Sequence, residues 1–363
     1  MLTAMLAEAQ DGNSFPDYTK SAAAYSYRKY LAEDADEHAD NLRDWDQCYE
    51  QLSAGRFQGG LVDAWFNDIQ LFRETTNQSV IQKGSCWDGS LSFGIPLAME
   101  GSGAFCDQPL PHGGIFSFDS NTEFTLLTPR KLDVVGIAIC RKQLDNFIHS
   151  TDHGNARGTA PQLPTVMVES RHFGELRCFL RNLFDAIDSN PTLLGHAQVQ
   201  KTLSSALLGH LLASTQSATF GPTALPTHHA RKAIVERARD YTLSHVDELV
   251  TVAELVEVLG ISRRTLQYCF QDVLNINPIQ YLRGIRLNGA RRELRHGDPE
   301  TARVQDVAAR WGFWHLSHFS SDYRKMFGEL PSETLRKAQR PAAPAGGSAT
   351  SIEKAYDSGP SQA

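Results

Sequence analysis

The feature that most constrains this chain is a helical punctuation that occurs twice in its last third. Thr251-Val-Ala-Glu254 has the form of a capping box, in which the threonine hydroxyl accepts an orphan backbone N–H and the glutamate reaches back. The helix it opens meets Gly260, which can take the left-handed conformation of a sharp stop, and Ser262 can cap a second helix over Arg263–Leu274. Helix, short glycine turn and helix form a helix-turn-helix unit. Leu255, Leu259, Ile261, Leu266 and Phe270 have the spacing for its shared core. Asn277-Pro278 then starts a helix reaching about His296, where Gly297-Asp298-Pro299 stops it. Beyond it the pattern returns. Thr301 is placed to cap, Val304, Val307 and Ala308 share one face, and the chain turns at Gly312-Phe313. A second helix is expected at about Trp314–Phe327, ended by Gly328 and Pro331, with a last helix from near Ser332. Leu255-Val256 corresponds to Val307-Ala308, and Leu266 and Phe270 to Phe319 and Tyr323. A further helix, Arg231–Val246, precedes both units.

Such a repeat suits duplex DNA. An α-helix fits the major groove, and two helices read one face of the duplex if held about one turn, ~34 Å, apart. The helix Pro278–His296 has roughly 19 residues and spans about 28 Å at ~1.5 Å each. Its Arg283, Arg286, Arg291, Arg292 and Arg295 are placed to meet phosphates or to anchor neighbouring acids. Charge is segregated accordingly. The 363-residue chain carries a formal −7, yet residues 231–340 net about +4 and residues 1–230 about −10.

The first two-thirds read differently. Residues 1–40 are polar and expected to be loosely ordered, and Asn41–Leu52 shows helical spacing of Leu42, Trp45, Tyr49 and Leu52. From Phe57 to Cys140, short β-favouring runs recur between Gly, Pro, Asn and Asp: Leu61–Phe66, Ile69–Arg73, Ser79–Gln82, Ser90–Ile95, Gly114–Phe118, Glu123–Leu127 and Val134–Ile139. That texture predicts an antiparallel barrel or sandwich. Helices follow at Arg141–Ser150, His172–Ser189 and Leu193–Ser214. The Leu176–Ile187 face and the Leu203, Leu207, Leu208 and Leu211 stripe either join two subunits or pack the core. The expected organisation is a 41–215 effector and dimerisation domain, a 216–230 linker, a 231–340 DNA-binding domain and a disordered 341–363 tail. The fold class is α+β.

Several functions are excluded as expectations. Six scattered cysteines without a CxxC pair suit a reducing cytoplasm and argue against zinc or a disulfide framework. No apolar run is long enough for a membrane span, and Met1–Gln10 lacks a secretion-type start. HExxH, GxSxG, Walker-type, GxGxxG and HxH patterns are missing, so no enzyme activity, metal or cofactor is expected. The pair His315 and His318 lacks a third ligand candidate.

The run Val304-Gln-Asp-Val-Ala308, Trp311-Gly-Phe313, Ser317, Phe319, Tyr323-Arg-Lys-Met-Phe-Gly328 and Pro331 resembles the signature of AraC/XylS-type regulators. Leu255, Ser262-Arg-Arg-Thr-Leu266 and Phe270 resemble the same family, with Val256 replacing its usual alanine. The resemblance implies that Arg264, Gln267 and Tyr268, and from the second unit His315, Ser317, His318 and Ser321, face bases. Arginine suits guanine O6/N7 and glutamine adenine N6/N7. Arg263, Arg324 and Lys325 are better placed for phosphates.

Gly55-Arg-Phe-Gln-Gly59, Asp68-Ile-Gln-Leu-Phe-Arg-Glu74, Phe93-Gly-Ile-Pro96 and Trp311-Gly-Phe-Trp-His-Leu316 are similar to the ethanolamine-utilisation regulators of that family. This implies a cupin-like effector domain, dimerising helices and activation of a catabolic operon through RNA polymerase in response to a small effector, ethanolamine or a related amine. Trp65, Phe72, Trp87, Phe93, Phe105 and Phe116 are candidate pocket walls. An ammonium ligand would need a carboxylate or an aromatic face. Asp63, Glu74, Asp88 and Glu123 lie in or beside the strands, their inward or outward direction open, and His112 is the single histidine there. The competing readings are a barrel enzyme with a DNA-binding appendage and a constitutive DNA-binding dimer.

Overall fold

The computed structural model describes residues 25–338, apart from positions 107, 111–112, 152–165, 169–171, 217–218, 221–225, 246–247 and 298–301. The expected cap Thr301, His112, the first 24 residues and the 341–363 tail lie outside the described residues.

Two antiparallel sheets build the N-terminal half, giving an α+β protein with a barrel-like first domain. The larger orders its strands β1 (Tyr25–Ala32), β3 (Gly59–Phe66), β4 (Ile69–Thr76), β11 (Lys131–Cys140), β6 (Ser90–Glu100), β9 (Ile115–Asp119), β12 (Val166–Val168) and β13 (Thr219–Phe220). The smaller orders β2 (Asp46–Gln51), β5 (Val80–Ser85), β10 (Phe124–Leu127), β7 (Ala104–Phe105) and β8 (Gln108–Pro109). Alternation along the strands gives the large sheet two apolar faces. Val135, Ile137 and Ile139 of β11 pack under α3 (His172–Ser189), a 3₁₀ turn (Pro191–Gly195) and α4 (Ala197–Gln216). Val134 of the same strand instead joins Phe105, Phe116, Phe124 and Leu126 between the sheets. Helix α2 (Arg141–Thr151) follows β11 directly. Leu176, Leu180, Leu183, Leu203, Leu207, Leu208 and Leu211 are all buried in the helix-covered core, so that stripe is intramolecular.

Two N-terminal expectations are corrected. Residues 25–40 are ordered: Tyr25 and Tyr27 bury themselves as β1 pairs with β3, and Asp34 caps α1 (Ala35–Asp40) by accepting from the N–H groups of Asp36 and Glu37. The Asn41–Leu52 stretch contains the strand β2 in place of a helix, with Tyr49 opposite Gln82 of β5. Trp45 and Tyr49 line the space between the sheets, whereas Leu52 packs against the C-terminal helices. A helical spacing was thus met by residues serving two different neighbours.

The C-terminal half comprises α5 (Pro226–Ser244), α6 (Val252–Leu259), α7 (Arg263–Leu274), α8 (Pro278–His296), α9 (Val304–Arg310), α10 (Leu316–Phe327) and α11 (Pro331–Ala338). Helix α4 runs to Gln216 and α5 begins at Pro226, so the expected 216–230 linker is encroached on from both ends. The helices are seated on the barrel. Ile81, Leu52 and Leu127 join the apolar cluster of α5–α8, and the buried Arg239 donates to Glu50 at 3.0 Å. Asn288 Nδ2 donates to the Gln51 carbonyl at 2.9 Å, and Gln51 Nε2 donates to the Met326 carbonyl at 2.8 Å. Along α8, Arg291 pairs with Asp34 and, at 2.9 Å, with Glu329. Arg292 pairs with Asp36 at 3.0 Å, and Arg295 with Asp34 and Glu37.

Candidate DNA-binding surface

Local chemistry explains why the first unit folds as it does. Thr251 Oγ1 accepts from the Glu254 N–H at 3.2 Å, and the Glu254 carboxylate accepts from the Thr251 N–H at 3.4 Å, closing the capping box. Gly260 ends α6 at φ +64°, with its own N–H on the Glu257 carbonyl and that of Ile261 on the Val256 carbonyl. Ser262 then caps α7, accepting from the Thr265 N–H at 3.0 Å. Leu255, Leu266 and Phe270 are fully buried. On the opposite side of α7, Arg263, Arg264, Gln267 and Tyr268 are exposed. The Arg231 guanidinium lies 4.6 Å from the Tyr268 ring centroid while holding Asp272 at 3.0 Å, fixing the phenol on the surface.

The second unit repeats the turn 52 residues later: Gly312 has φ +74°, its N–H meets the Ala309 carbonyl, and the Phe313 N–H meets the Ala308 carbonyl. It differs at the helix starts. Helix α9 begins after Arg303, replacing the expected Thr301 cap, and α10 begins after His315, which replaces the expected start at about Trp314. Neither Arg303 nor His315 supplies a side-chain cap. Phe319 and Tyr323 are fully buried, while His315, Ser317, His318, Ser321, Arg324 and Lys325 are exposed. The rings of His315 and His318 lie 5.1 Å apart. No group of three metal-ligating side chains occurs among the described residues.

All ten side chains singled out in the two units therefore reach the surface, on two helices joined through the unbroken α8. Asn277 and Gln280 form a capping box at its start, and Pro278 occupies its first turn. Sequence reasoning overlooked two neighbours. Trp314, 85 % exposed and with its ring centroid 3.8 Å from that of His315, occupies a turn of residues 311–315 that is longer than its counterpart, residues 260–262, and Arg231 pins Tyr268. The longer turn was the signal for the first; nothing in the sequence marks the second. The α8 arginines are occupied otherwise: Arg291, Arg292 and Arg295 hold acids of the first domain, Arg283 pairs with Asp322, and Arg286 stacks over Phe313 at 5.2 Å.

The barrel holds a cavity of about 40 Å³ between its sheets. Phe72, Phe105 and Phe116 line it, as do Trp45, Phe118 and Phe124. Phe93 borders it, with its side chain in the helix-covered core. Trp65 and Trp87 are corrected: they lie outside the lining, their rings 5.7 Å apart, with Arg43 over Trp65. Of the four acids, Glu74 lines the cavity; Asp63 is buried elsewhere, receiving a hydrogen bond from Gln70. Burial pushes the Asp63 carboxyl up to about 6.

A helix-turn-helix domain family matches residues 255–337. Over 108 residues the chain is 30 % identical to the XylDLEGF operon transcriptional activator of Pseudomonas putida, covering 30 % of this chain and 34 % of that one. Over 328 residues it is 33 % identical to the "Probable thc operon regulatory protein" of Rhodococcus erythropolis, covering 85 % of this chain and 95 % of the relative. The chain belongs to the AraC/XylS family of transcription regulators. A solved AraC-type regulator from Chromobacterium violaceum matches at 26 % identity, over 31 % of this chain and 98 % of that one, with a TM-score of 0.29. Membership makes this AraC/XylS-family chain a DNA-binding transcription regulator, with its double helix-turn-helix as the DNA-binding part. No helix of the described residues is long and apolar enough to cross a membrane.

Proposed function

We propose that this regulator lays α7 and α10 into successive major grooves on one side of double-stranded DNA. Arg264, Gln267 and Tyr268, then His315, Ser317, His318 and Ser321, meet base edges, with Trp314 beside them. Arg263, Arg324 and Lys325 meet phosphates. One observation carries the reading: these side chains are exposed on two helices whose other faces are buried in small apolar cores. Base contacts confer sequence preference and phosphate contacts confer salt-dependent affinity.

Fluorescence anisotropy with DNA from upstream of the gene, titrated with salt, tests this. Arg264→Ala and His318→Ala should each weaken binding to the specific site by about 1–3 kcal/mol. Lys325→Ala should weaken specific and unrelated duplexes alike and flatten the salt dependence by about one phosphate contact. Absence of binding at low salt, or unchanged specific binding by both alanine variants, sinks the reading.

The same reading makes the chain a cytoplasmic activator of a catabolic operon, working through RNA polymerase when a small effector fills the barrel. The aromatic cavity supports it, and so does the name of the Pseudomonas putida relative. The resemblance of the first half puts ethanolamine or a related amine first among effectors. A homodimer, if formed, uses surfaces other than the buried leucine stripes. We assign the chain no catalytic activity.

A further inference from the structure

The barrel cavity is lined almost wholly by aromatic and aliphatic groups, yet it contains one carboxylate, Glu74, which is only 5 % exposed. Leaving a charge in such a place costs stability unless something compensates it. The compensation present is one-sided. Oε1 accepts from the Tyr49 hydroxyl at 3.0 Å and from Gln82 Nε2 at 3.0 Å. His38 Nε2 lies 3.1 Å from the same oxygen, out of line for a hydrogen bond. Oε2 accepts nothing among the described residues, and Glu74 is part of the cavity lining. Among the described residues every partner is thus on one oxygen.

The remaining surface suits the rest of a small cation. Phe105 stacks on Phe116 with centroids 4.3 Å apart, and Phe124 lies 6.2 Å from Phe105. Gly94 and Gly136 face each other across β6 and β11, and a Cβ on either would sit 2.0 Å from the ring of Phe116 or Phe72. Those glycines make room for the two rings against the sheet. The Trp45 N–H is spent on Gln70 at 2.8 Å, and its ring is part of the lining. Aromatic faces attract cations, and more strongly where water is excluded. Among the described residues no lysine or arginine lines the cavity, and the ionisable base beside Glu74 is His38. At roughly 10–15 Å³ per water, about 40 Å³ holds about three waters, the size of an ion with three to five non-hydrogen atoms.

We infer that the cavity binds a short-chain organic ammonium ion, with the ammonium on Glu74 Oε2 and its carbons against Phe72, Phe105 and Phe116. This rests on the reading of the barrel as the effector domain. Calorimetry on the full chain tests it, using ethylammonium and ethanolammonium chlorides against neutral 1-propanol and ethylene glycol and anionic propionate, with sodium chloride as the ionic-strength control. The ammonium ions should bind about tenfold or more tightly than the others, and Glu74→Gln should erase that preference. The charge series on the unaltered protein needs no variant, so it decides even if Glu74→Gln misfolds. Equal binding of the neutral or anionic compounds, or a cation preference kept by folded Glu74→Gln, overturns the ammonium assignment and leaves the cavity as an effector site. No heat from any compound overturns the ammonium assignment and counts against the effector reading as well.

Discussion

The two helix-turn-helix units share a turn geometry and differ in what holds them. The first is almost self-sufficient. Thr251, Gly260, Ser262 and Asn275 finish all four of its helix ends from within, and its apolar core meets the barrel through Ile81, Leu52 and Leu127. The second has uncapped starts at Arg303 and His315 and takes its support from elsewhere. Trp311 lies over Gly289 of α8 and donates to Glu293 at 2.8 Å, Gln51 and Gly55 of the first domain donate to the Met326 carbonyl, and Arg291 binds Asp34 and Glu329 together. One half of the DNA-binding surface thus has its helix ends finished by its own local sequence, and the other leans on α8 and on the first domain.

Removing the shared acid should break the comparison most severely. Asp34→Ala leaves the buried Arg291 with Glu329 alone, takes a partner from Arg295 and removes the cap of α1, an expected cost of about 3–5 kcal/mol in urea unfolding. Amide exchange should quicken in α10 and α11 well before α6 and α7; uniform quickening would show the units to be equally dependent. Gly289→Ala comes next. Its Cβ would lie 2.0 Å from the Trp311 ring, which outweighs alanine's better helix preference, for a net loss of about 2 kcal/mol read from thermal melting.

Acid should separate the units by a similar amount. Burial pushes the Asp34 carboxyl up, but the charges and hydrogen bonds of Arg291 and Arg295 outweigh it and bring it down to about 2. A depressed carboxylate stabilises the fold fully above its ordinary range near 3.8 and loses that contribution as pH falls toward 2. About 2 kcal/mol should go in that window, measured as urea midpoints at pH 6 and pH 2.5, and Asp34→Asn should blunt the change. The smallest effects concern the caps. Thr251→Ala should cost about 1 kcal/mol, while Arg303→Ser, at a position whose extended backbone already suits a cap, should return a similar amount to the second unit.

The same contrast explains what could be read from the residues alone. Thr251, Gly260, Ser262, Asn277 and Gly328 act on backbone groups a few positions away, so their helices were legible. The exposure of Arg264 or His318 follows from the period of those helices. Asp34 meets Arg291 across 257 positions, and no local pattern announces such a pair. For the same reason the acidic segment around Asp34, Asp36 and Glu37 read as loose chain, although its charges are the sockets for α8. The β2 residues misled because their true partners in β5 lie outside any short window. In the barrel, alternation identified the strands, but Trp65 and Phe72 could be told apart only once the sheets closed.

Strand β2 belongs to both halves of the molecule at once. The Tyr49 hydroxyl hangs on Glu74 inside the barrel, while the carbonyl of the same residue takes the Arg292 guanidinium of α8 at 3.3 Å. Its neighbours Glu50 and Gln51 hold Arg239 and Asn288. The strand that holds that phenol inside the barrel is thus also a rung on which the C-terminal helices stand.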